Sequence, residues 1–327
     1  MRQVLQAARR PLIVTGLAMS LWLTACKPAP APLAGASSQP AASVKALAEH
    51  LRRNDLAGFA RAAAPAEDLQ ALDQAWREGR SDWPLAELPL GERVPGLLTT
   101  LTTPDAERRL NAAFDRQFAR QERDLKAAAR TLALFGSQYV QYQSDYPEPQ
   151  RRYYVQVIQA LGDWAQNAPL ADATRAHLAV RELVVGARAT GLGSATDLRK
   201  AGLLPGLSKL APLAKAFKSV TASYGLDLDA SLDRLRTGLI SEQGDVAQVE
   251  IRYPLGEREI VHTVQMKRRN GHWYPADVLA QAEAARQGAQ APDPQPPDPA
   301  ADQAKPAADD KSPPARPADK VARAAKP

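Results

Sequence analysis

The sequence predicts an α+β fold, a mostly helical body of residues 44–285 with a three-stranded antiparallel meander at about residues 246–276. Through the middle of the chain, apolar residues recur every three or four positions, which is the spacing of helices that pack through one face. Toward the end of the body, apolar and polar residues alternate, as in half-buried strands. The flanking segments 26–43 and 286–327 are rich in Pro and Ala and predict a flexible tether and a disordered tail.

The first part of the body predicts two short amphipathic helices and then a loop. Apolar residues at helical spacing occupy residues 44–63 on both sides of a break at Asn54-Asp55. Residues 82–101 contain three prolines and predict a loop. Thr103-Pro104 is typical of an N-cap followed by proline at the first helical position, so we expect a long helix to begin there.

The long helix and its successors are predicted from apolar stripes and from capping residues. Gly136 is the expected interruption of the long helix. The predicted apolar stripe of the long helix consists of Leu110, Phe114, Phe118, Leu125 and Leu132. Further helices are expected over residues 154–164, after an Asp172 N-cap, after a capping box of Ser194 and Asp197 that closes at Gly202, and over residues 207–224. We expect these helices to form an array packed through their apolar faces.

The strands end in the strongest hairpin signal of the chain, Asn270-Gly271. Both residues tolerate the positive φ that a two-residue type I′ turn requires. This turn pairs Arg268 with Trp273. The same register places His262 and His272 on opposite faces of the sheet.

The first 25 residues have the parts of a secretory signal, with a basic start, an apolar middle and small residues at the end. The apolar middle is shorter than the roughly 20 residues that a membrane-spanning helix needs. It closes with Leu23-Thr24-Ala25-Cys26, which contains the only cysteine of the chain. This run resembles a bacterial lipobox. The resemblance implies cleavage before Cys26 and acylation of that residue; an ordinary signal peptide with a nearby cysteine is the alternative.

The residues around Cys26 also bear on location and chemistry. Residue 27 is Lys, where enterobacterial lipoproteins retained in the inner membrane have Asp, so the resemblance implies the periplasmic face of the outer membrane. Lipidation would use the sole thiol and leave none for a disulfide, a metal ligand or a nucleophile. Removal of residues 1–25 lowers the formal net charge from +6 to +3. Without a dense basic face, this charge argues against a nucleic-acid partner.

The strands that end with residues 270–274 resemble the last strands of NTF2-like domains in bacterial envelope proteins. This resemblance covers the C-terminal strands alone. It implies a curved sheet wrapped by helices, which encloses a ligand pocket or forms a dimer surface. The whole chain also resembles proteobacterial lipoproteins, which implies a location but no activity.

The sequence contains no recognisable catalytic or metal-binding pattern. His50, His177, His262 and His272 lack the local spacings of zinc and di-iron sites. Residues 191–194 lack the Lys-Ser/Thr ending of a phosphate loop and predict a turn between helices. No Gly-x-Ser-x-Gly elbow indicates a serine hydrolase. We therefore predict no catalytic residue, cofactor or metal ligand.

A group of aromatic residues is open to two interpretations. Aromatic side chains with polar tips could line a groove for a sugar or a peptide, whereas the same residues commonly pack between helices. The group consists of Tyr139, Tyr142, Tyr146, Tyr153, Tyr154 and Trp164. Trp76 and Trp83 pose the same question, as either a shared exposed patch or part of the core.

These patterns predict a membrane-anchored envelope lipoprotein that acts as a non-enzymatic binding or scaffold component in the periplasm. Its expected partners are the membrane, through acyl chains on Cys26, and an envelope protein or the cell wall. The alternative is a small-ligand carrier or enzyme with an NTF2-like pocket between the meander and the helices. A deep pocket lined by Tyr or Trp favours the carrier, and a flat exposed apolar patch favours partner binding.

Overall fold

The computed structural model describes residues 39–88, 91–142 and 146–290. These residues form an α+β fold, as predicted, but the antiparallel sheet near the C-terminal end has four strands rather than three. The α-helices are α1 (Gln39–Arg52), α2 (Leu56–Ala63), α3 (Ala66–Arg77), α4 (Val94–Thr102), α5 (Ala106–Gln117), α6 (Glu122–Tyr142), α7 (Glu148–Asn167), α8 (Ala173–Ala189), α9 (Ala195–Ala201), α10 (Leu203–Lys209), α11 (Ala211–Ser223), α12 (Leu228–Asp233) and α13 (Ala276–Gln290). The strands are β1 (Arg236–Gln243), β2 (Val246–Leu255), β3 (Arg258–Arg269) and β4 (His272–Pro275), and two 3₁₀ helices span Leu85–Glu87 and Gly91–Arg93.

The first two helices confirm the predicted break between them. Asp55 caps α2, because its side chain accepts a hydrogen bond from the Gly58 N–H at 2.7 Å. Helix α1 begins at Gln39, inside the segment that the sequence assigns to the tether. Its first turn is helical because Ala41 is buried against the sheet. Helix α13 likewise continues past residue 285 into the predicted tail.

The loop predicted over residues 82–101 is wrong for its second half, which forms α4. Pro95 lies in the first turn of α4, where the missing N–H of proline leaves no helical hydrogen bond unmade. Thr103-Pro104 is not the start of a helix but the connection from α4 to α5. Asp105 occupies the N-cap of α5, and its side chain pairs with Arg108 at 3.0 Å instead of capping the helix.

The long helix predicted from residue 104 onward is two helices, α5 and α6. Arg120 lies between them with a φ of 66°, a left-handed conformation that ends the helical hydrogen-bond pattern. Gly136, the predicted interruption, lies inside α6. Residues 207–224 are similarly divided between α10 and α11 at Leu210, shortly before a proline.

The helix starts predicted from capping residues after α7 are confirmed. The Asp172 side chain accepts a hydrogen bond from the Arg175 N–H at 3.0 Å and begins α8. The Ser194 hydroxyl accepts one from the Asp197 N–H at 3.1 Å and begins α9. Gly202 closes α9 with a φ of 85°.

The sheet confirms the predicted C-terminal hairpin and extends the meander by one strand. Its order is β1-β2-β3-β4, and the β3–β4 turn has φ angles of 51° at Asn270 and 78° at Gly271. Arg268 pairs with Trp273, so the predicted register is right, and His262 and His272 lie on opposite faces.

Strand β1 is one of the elements that the sequence does not predict, together with α3, α12 and α13. It is an edge strand in which Thr237 alone is buried, and its pairing with β2 shifts register between Leu239 and Ser241. A register shift of this kind disrupts the alternation of apolar and polar residues on which strand prediction depends.

One face of the sheet is covered by two helices, which share it. Ala41 and Val44 of α1 pack on Val249 and Met266, together with Trp273. Helix α7 covers the rest of the same face around Ile260 and Leu255. A separate and larger core joins α2, α3, α4, α8, α10 and α13.

Candidate docking surface on helix α6

Helix α6 lies antiparallel to α7 and contacts it through small side chains. Gly162 of α7 lies directly against Ala133 of α6, and Gly136 of α6 faces Ile158 of α7. Glycine and alanine at these positions allow the two backbones to approach closely. The part of α6 that approaches α7 most closely is therefore built from small residues.

Helix α7 in turn is fixed to the free edge of β3. The side-chain amide of Gln156 donates to the Val261 carbonyl at 3.1 Å and accepts from the Val261 N–H at 2.9 Å. Strand β4 pairs only with the last residues of β3, so Gln156 replaces a neighbouring strand at Val261. The Val261 N–H and carbonyl of this edge are thereby paired, and α6 lies on the outer side of α7.

Another side of α6 presents large apolar side chains to solvent. Leu132, Phe135, Tyr139 and Tyr142 recur at intervals of three and four, which places them on one face of the helix. Their exposed fractions are 71%, 62%, 67% and 84%. We call these four residues the α6 stripe. Contiguous exposed apolar surface is typical of sites that contact a protein or a membrane.

The sequence placed Leu132 on a stripe that packs into the helical array, and this prediction is wrong. Phe118 of the same predicted stripe is also exposed, at the C-cap of α5. Phe135 was not singled out. The spacing of Ala129, Ala133 and Gly136 is the signal that could have identified the inward face.

The aromatic group predicted from the sequence is divided between the α6 stripe and the contact of α7 with the sheet. Tyr139 and Tyr142 belong to the stripe. Tyr146 packs edge-on against Tyr154, with ring centroids 5.3 Å apart. Trp164 donates a hydrogen bond to the Tyr224 carbonyl at 2.9 Å. The inner members of the group thus hold elements together and do not line an open groove.

The contact of α7 with the sheet contains the half-buried His262. Its ring lies 4.2 Å from the ring of Tyr153 between centroids, and its Nδ1 is buried without a hydrogen-bond partner. Burial lowers the pKa of His262, against a smaller opposing effect of the negative Asp277. The Tyr153 hydroxyl is 3.2 Å from that of Tyr253, and burial raises the pKa of Tyr253. This neutral aromatic cluster is suited to packing rather than to proton transfer.

The other histidines pair with acidic side chains or lie on the surface, and the two tryptophans belong to the core. His50 bonds Asp55 at 2.9 Å, and His177 bonds Asp115 at 2.8 Å. His272 lies on the exposed face of the hairpin. Within the described ranges, no group of three or more His, Cys, Asp or Glu side chains is arranged to hold a metal ion. Trp76 and Trp83 are both buried in the larger core, so they form no exposed patch.

Two surface hollows lie on the helical body, away from the sheet. The first, of about 650 Å³, runs along α8 beside Leu178 and Val185 and has no aromatic residue in its lining. The second, of about 330 Å³, is lined by polar residues of α5 and by Arg188. Neither hollow brings tyrosines or tryptophans together with converging polar groups, the feature expected of the ligand-carrier alternative.

The predicted lipidation site, Cys26, lies outside the described residues. Among the helices that the structure describes, none is both long enough and apolar enough to cross a membrane. A comparison of the chain with protein-family models, with curated proteins and with solved structures found no match.

Proposed function

We propose that the protein is a membrane-anchored envelope lipoprotein that acts as a non-enzymatic binding or scaffold component in the periplasm. The observation that carries this proposal is the α6 stripe. Helix α6 already packs on α7 through its small residues, so the large apolar side chains of the stripe are not needed to hold the helix in place. Their exposure is best explained by a binding partner.

The lipobox supplies the location in this proposal. Helix α1 begins at Gln39, which is 13 positions after Cys26. An extended chain spans at most about 3.3–3.6 Å per residue, so the body would work within about 45 Å of the bilayer. Acyl chains on Cys26 would confine the body to the periplasmic face of the outer membrane.

The small-ligand carrier or enzyme is the alternative, and the described residues give it less support. An NTF2-like pocket would lie between the sheet and the helices. That face of the sheet is instead filled by α1 and α7. His262 lies on this face, where burial lowers its pKa and its ring lies 4.2 Å from the ring of Tyr153 between centroids.

Two measurements in living cells test the two halves of the proposal. Labelling with a palmitate analogue, with and without Cys26→Ala, tests the anchor: we expect label on the native chain and none on the variant. A photoreactive amino acid at Phe135, followed by purification under denaturing conditions and mass spectrometry, tests the docking surface. Position Leu134 is the matched control, since it is exposed on the same helix but lies off the stripe.

We expect a reproducible envelope-protein adduct from position 135 and much less from position 134. Equal label on Cys26→Ala and the native chain would refute lipidation at Cys26. No adduct above background at position 135 would refute a binding role for the α6 stripe.

A further inference from the structure

We infer that the α6 stripe is the contact surface for a second copy of this chain, so that the protein forms a two-fold symmetric dimer through α6. This inference rests on the binding role proposed for the stripe and names its partner. The area of the stripe, the pattern of its side chains and its lack of charge support this choice.

The area of the stripe matches what a small, specific dimer needs. An aromatic side chain contributes about 150–250 Å², and the stripe has three of them, each more than half exposed, together with Leu132. Roughly 500–600 Å² per copy would therefore be buried, or about 1,000–1,200 Å² in total, at the lower end of specific interfaces.

The side chains of the stripe complement one another when two copies of α6 pack antiparallel. A two-fold axis at Phe135 places Tyr139 opposite Thr131 of the second copy. The same axis places the small Ala128 opposite the large Tyr142. An interface of this kind uses the same patch on both subunits, which is the common arrangement of homodimers. Phe135 meets its own copy at the axis, and the two tyrosines of the stripe meet smaller side chains.

The absence of charge favours a second copy over a lipid surface. Residues 131–142 contain no charged side chain. Helices that lie in a membrane interface instead carry Lys and Arg along their polar face. The nearest basic residues, Lys126 and Arg130, lie off the stripe, and Lys126 is paired with Glu122 at 2.7 Å. Two copies therefore meet without like-charge repulsion at the stripe.

Membrane anchoring would strengthen this dimer without any further contact. A two-fold axis normal to the bilayer allows both tethers to reach the same membrane. Confinement to that membrane raises the effective concentration of each copy for the other, so an interface of modest area suffices.

The single native cysteine makes a direct test possible. In the full chain carrying Cys26→Ala, the added substitution Phe135→Cys supplies one thiol per molecule, at the proposed axis. Leu134→Cys in the same background is the matched control, because its thiol points away from the axis. Each purified chain is oxidised in mild detergent and analysed on a non-reducing gel.

We expect Phe135→Cys to give a disulfide-linked species at twice the chain mass of 35.3 kDa, and Leu134→Cys to stay at that mass. A disulfide requires Cβ atoms about 3.5–4.5 Å apart, so the bond reports close approach at the axis. Equal cross-linking of the two variants would indicate random collision and overturn the inference.

Sedimentation of the Cys26→Ala chain over a range of concentrations gives a second measurement. We expect a monomer–dimer equilibrium that Phe135→Asp weakens by about tenfold or more, with an unchanged circular dichroism spectrum. A chain that is monomeric at every concentration overturns the inference. If the photoreactive residue at position 135 then captures another envelope protein, the proposed function stands and only the choice of partner fails. If dimers form but Cys26 carries no palmitate, the dimer stands and the lipid anchor of the proposed function fails.

Discussion

Substitution of Asp68 should destabilise the whole body, because one buried carboxylate joins three elements. Asp68 lies in the first turn of α3 and is fully buried. It accepts a hydrogen bond from Arg269 of β3 at 2.7 Å and another from Arg286 of α13. The side chains of these arginines are 38% and 31% exposed. Asp68→Asn removes the charge that both of them neutralise while keeping the shape of the side chain.

The expected loss follows from these burials. Removal of one partner from a fully buried ion pair costs about 3–5 kcal/mol, because the remaining charge is stranded. Both arginines here keep about a third of their side chains in solvent and can be rehydrated, so we expect about 2–4 kcal/mol. For a body of this size the Tm would fall by about 5–15 °C.

The measurement is unfolding by urea and by heat, followed by circular dichroism. Asp245→Asn is the matched control, since Asp245 also bonds an arginine of β3, Arg268, at 2.9 Å but is 72% exposed. An exposed pair of this kind contributes about 0–1 kcal/mol. A loss for Asp68→Asn no greater than that for Asp245→Asn would refute the assigned role of Asp68.

Two further predictions concern the α6–α7 contact and the start of α13. Gly162→Ala should destabilise the protein by about 1–3 kcal/mol, because the new Cβ overlaps Ala133. Gly136→Ala should instead stabilise it by about 0.4–1 kcal/mol, because its new Cβ makes an ordinary contact with Ile158 at 3.5 Å. Urea unfolding measures both changes, and equal effects would contradict the packing described. Desolvation and then the charge of Asp277 raise the pKa of Glu87 to about 7. Protonated Glu87 therefore stabilises the fold fully below about pH 4.5, and this contribution is lost as the pH rises through 7. Glu87→Gln should therefore raise the Tm relative to the native chain more at pH 8 than at pH 5. Part of Glu87 remains in solvent, so the prediction concerns only the sign of the difference between the two Tm changes. A larger rise in Tm at pH 5 than at pH 8 would contradict it.

The parts of the fold that the sequence predicts correctly are those set by neighbouring residues. Asp172 and Ser194 cap helices through hydrogen bonds to N–H groups three residues away, so their chemistry is readable without knowledge of the rest of the chain. Asn270-Gly271 is similarly local, because a type I′ turn depends on the φ angles of two residues. These features fixed the helix starts and the hairpin register.

The incorrect predictions depend on contacts between distant parts of the chain. Strand β1 forms because β2 offers it a partner, although its own residues show no clear alternation. Arg120 adopts a positive φ, and its N–H bonds the Ala171 carbonyl, a contact invisible in the local sequence. The inward face of α6 was misassigned for the same reason, since the preference for Ala133 over Leu132 comes from the glycine of α7 that faces it.

The separation of these two faces of α6 has a consequence for how the protein can be dissected. Folding places Ala133 and Gly136 against α7, so substitutions there should change stability and association together. The stripe residues Leu132 and Phe135 contribute little to the packing of a single copy, because most of their surface stays in solvent. Polar substitutions on the stripe should therefore abolish the proposed association at little cost in stability. The α6 stripe can therefore be mutated without loss of the fold, because the close contacts of Ala133 and Gly136 with α7, and not the large side chains of the stripe, hold α6 in place.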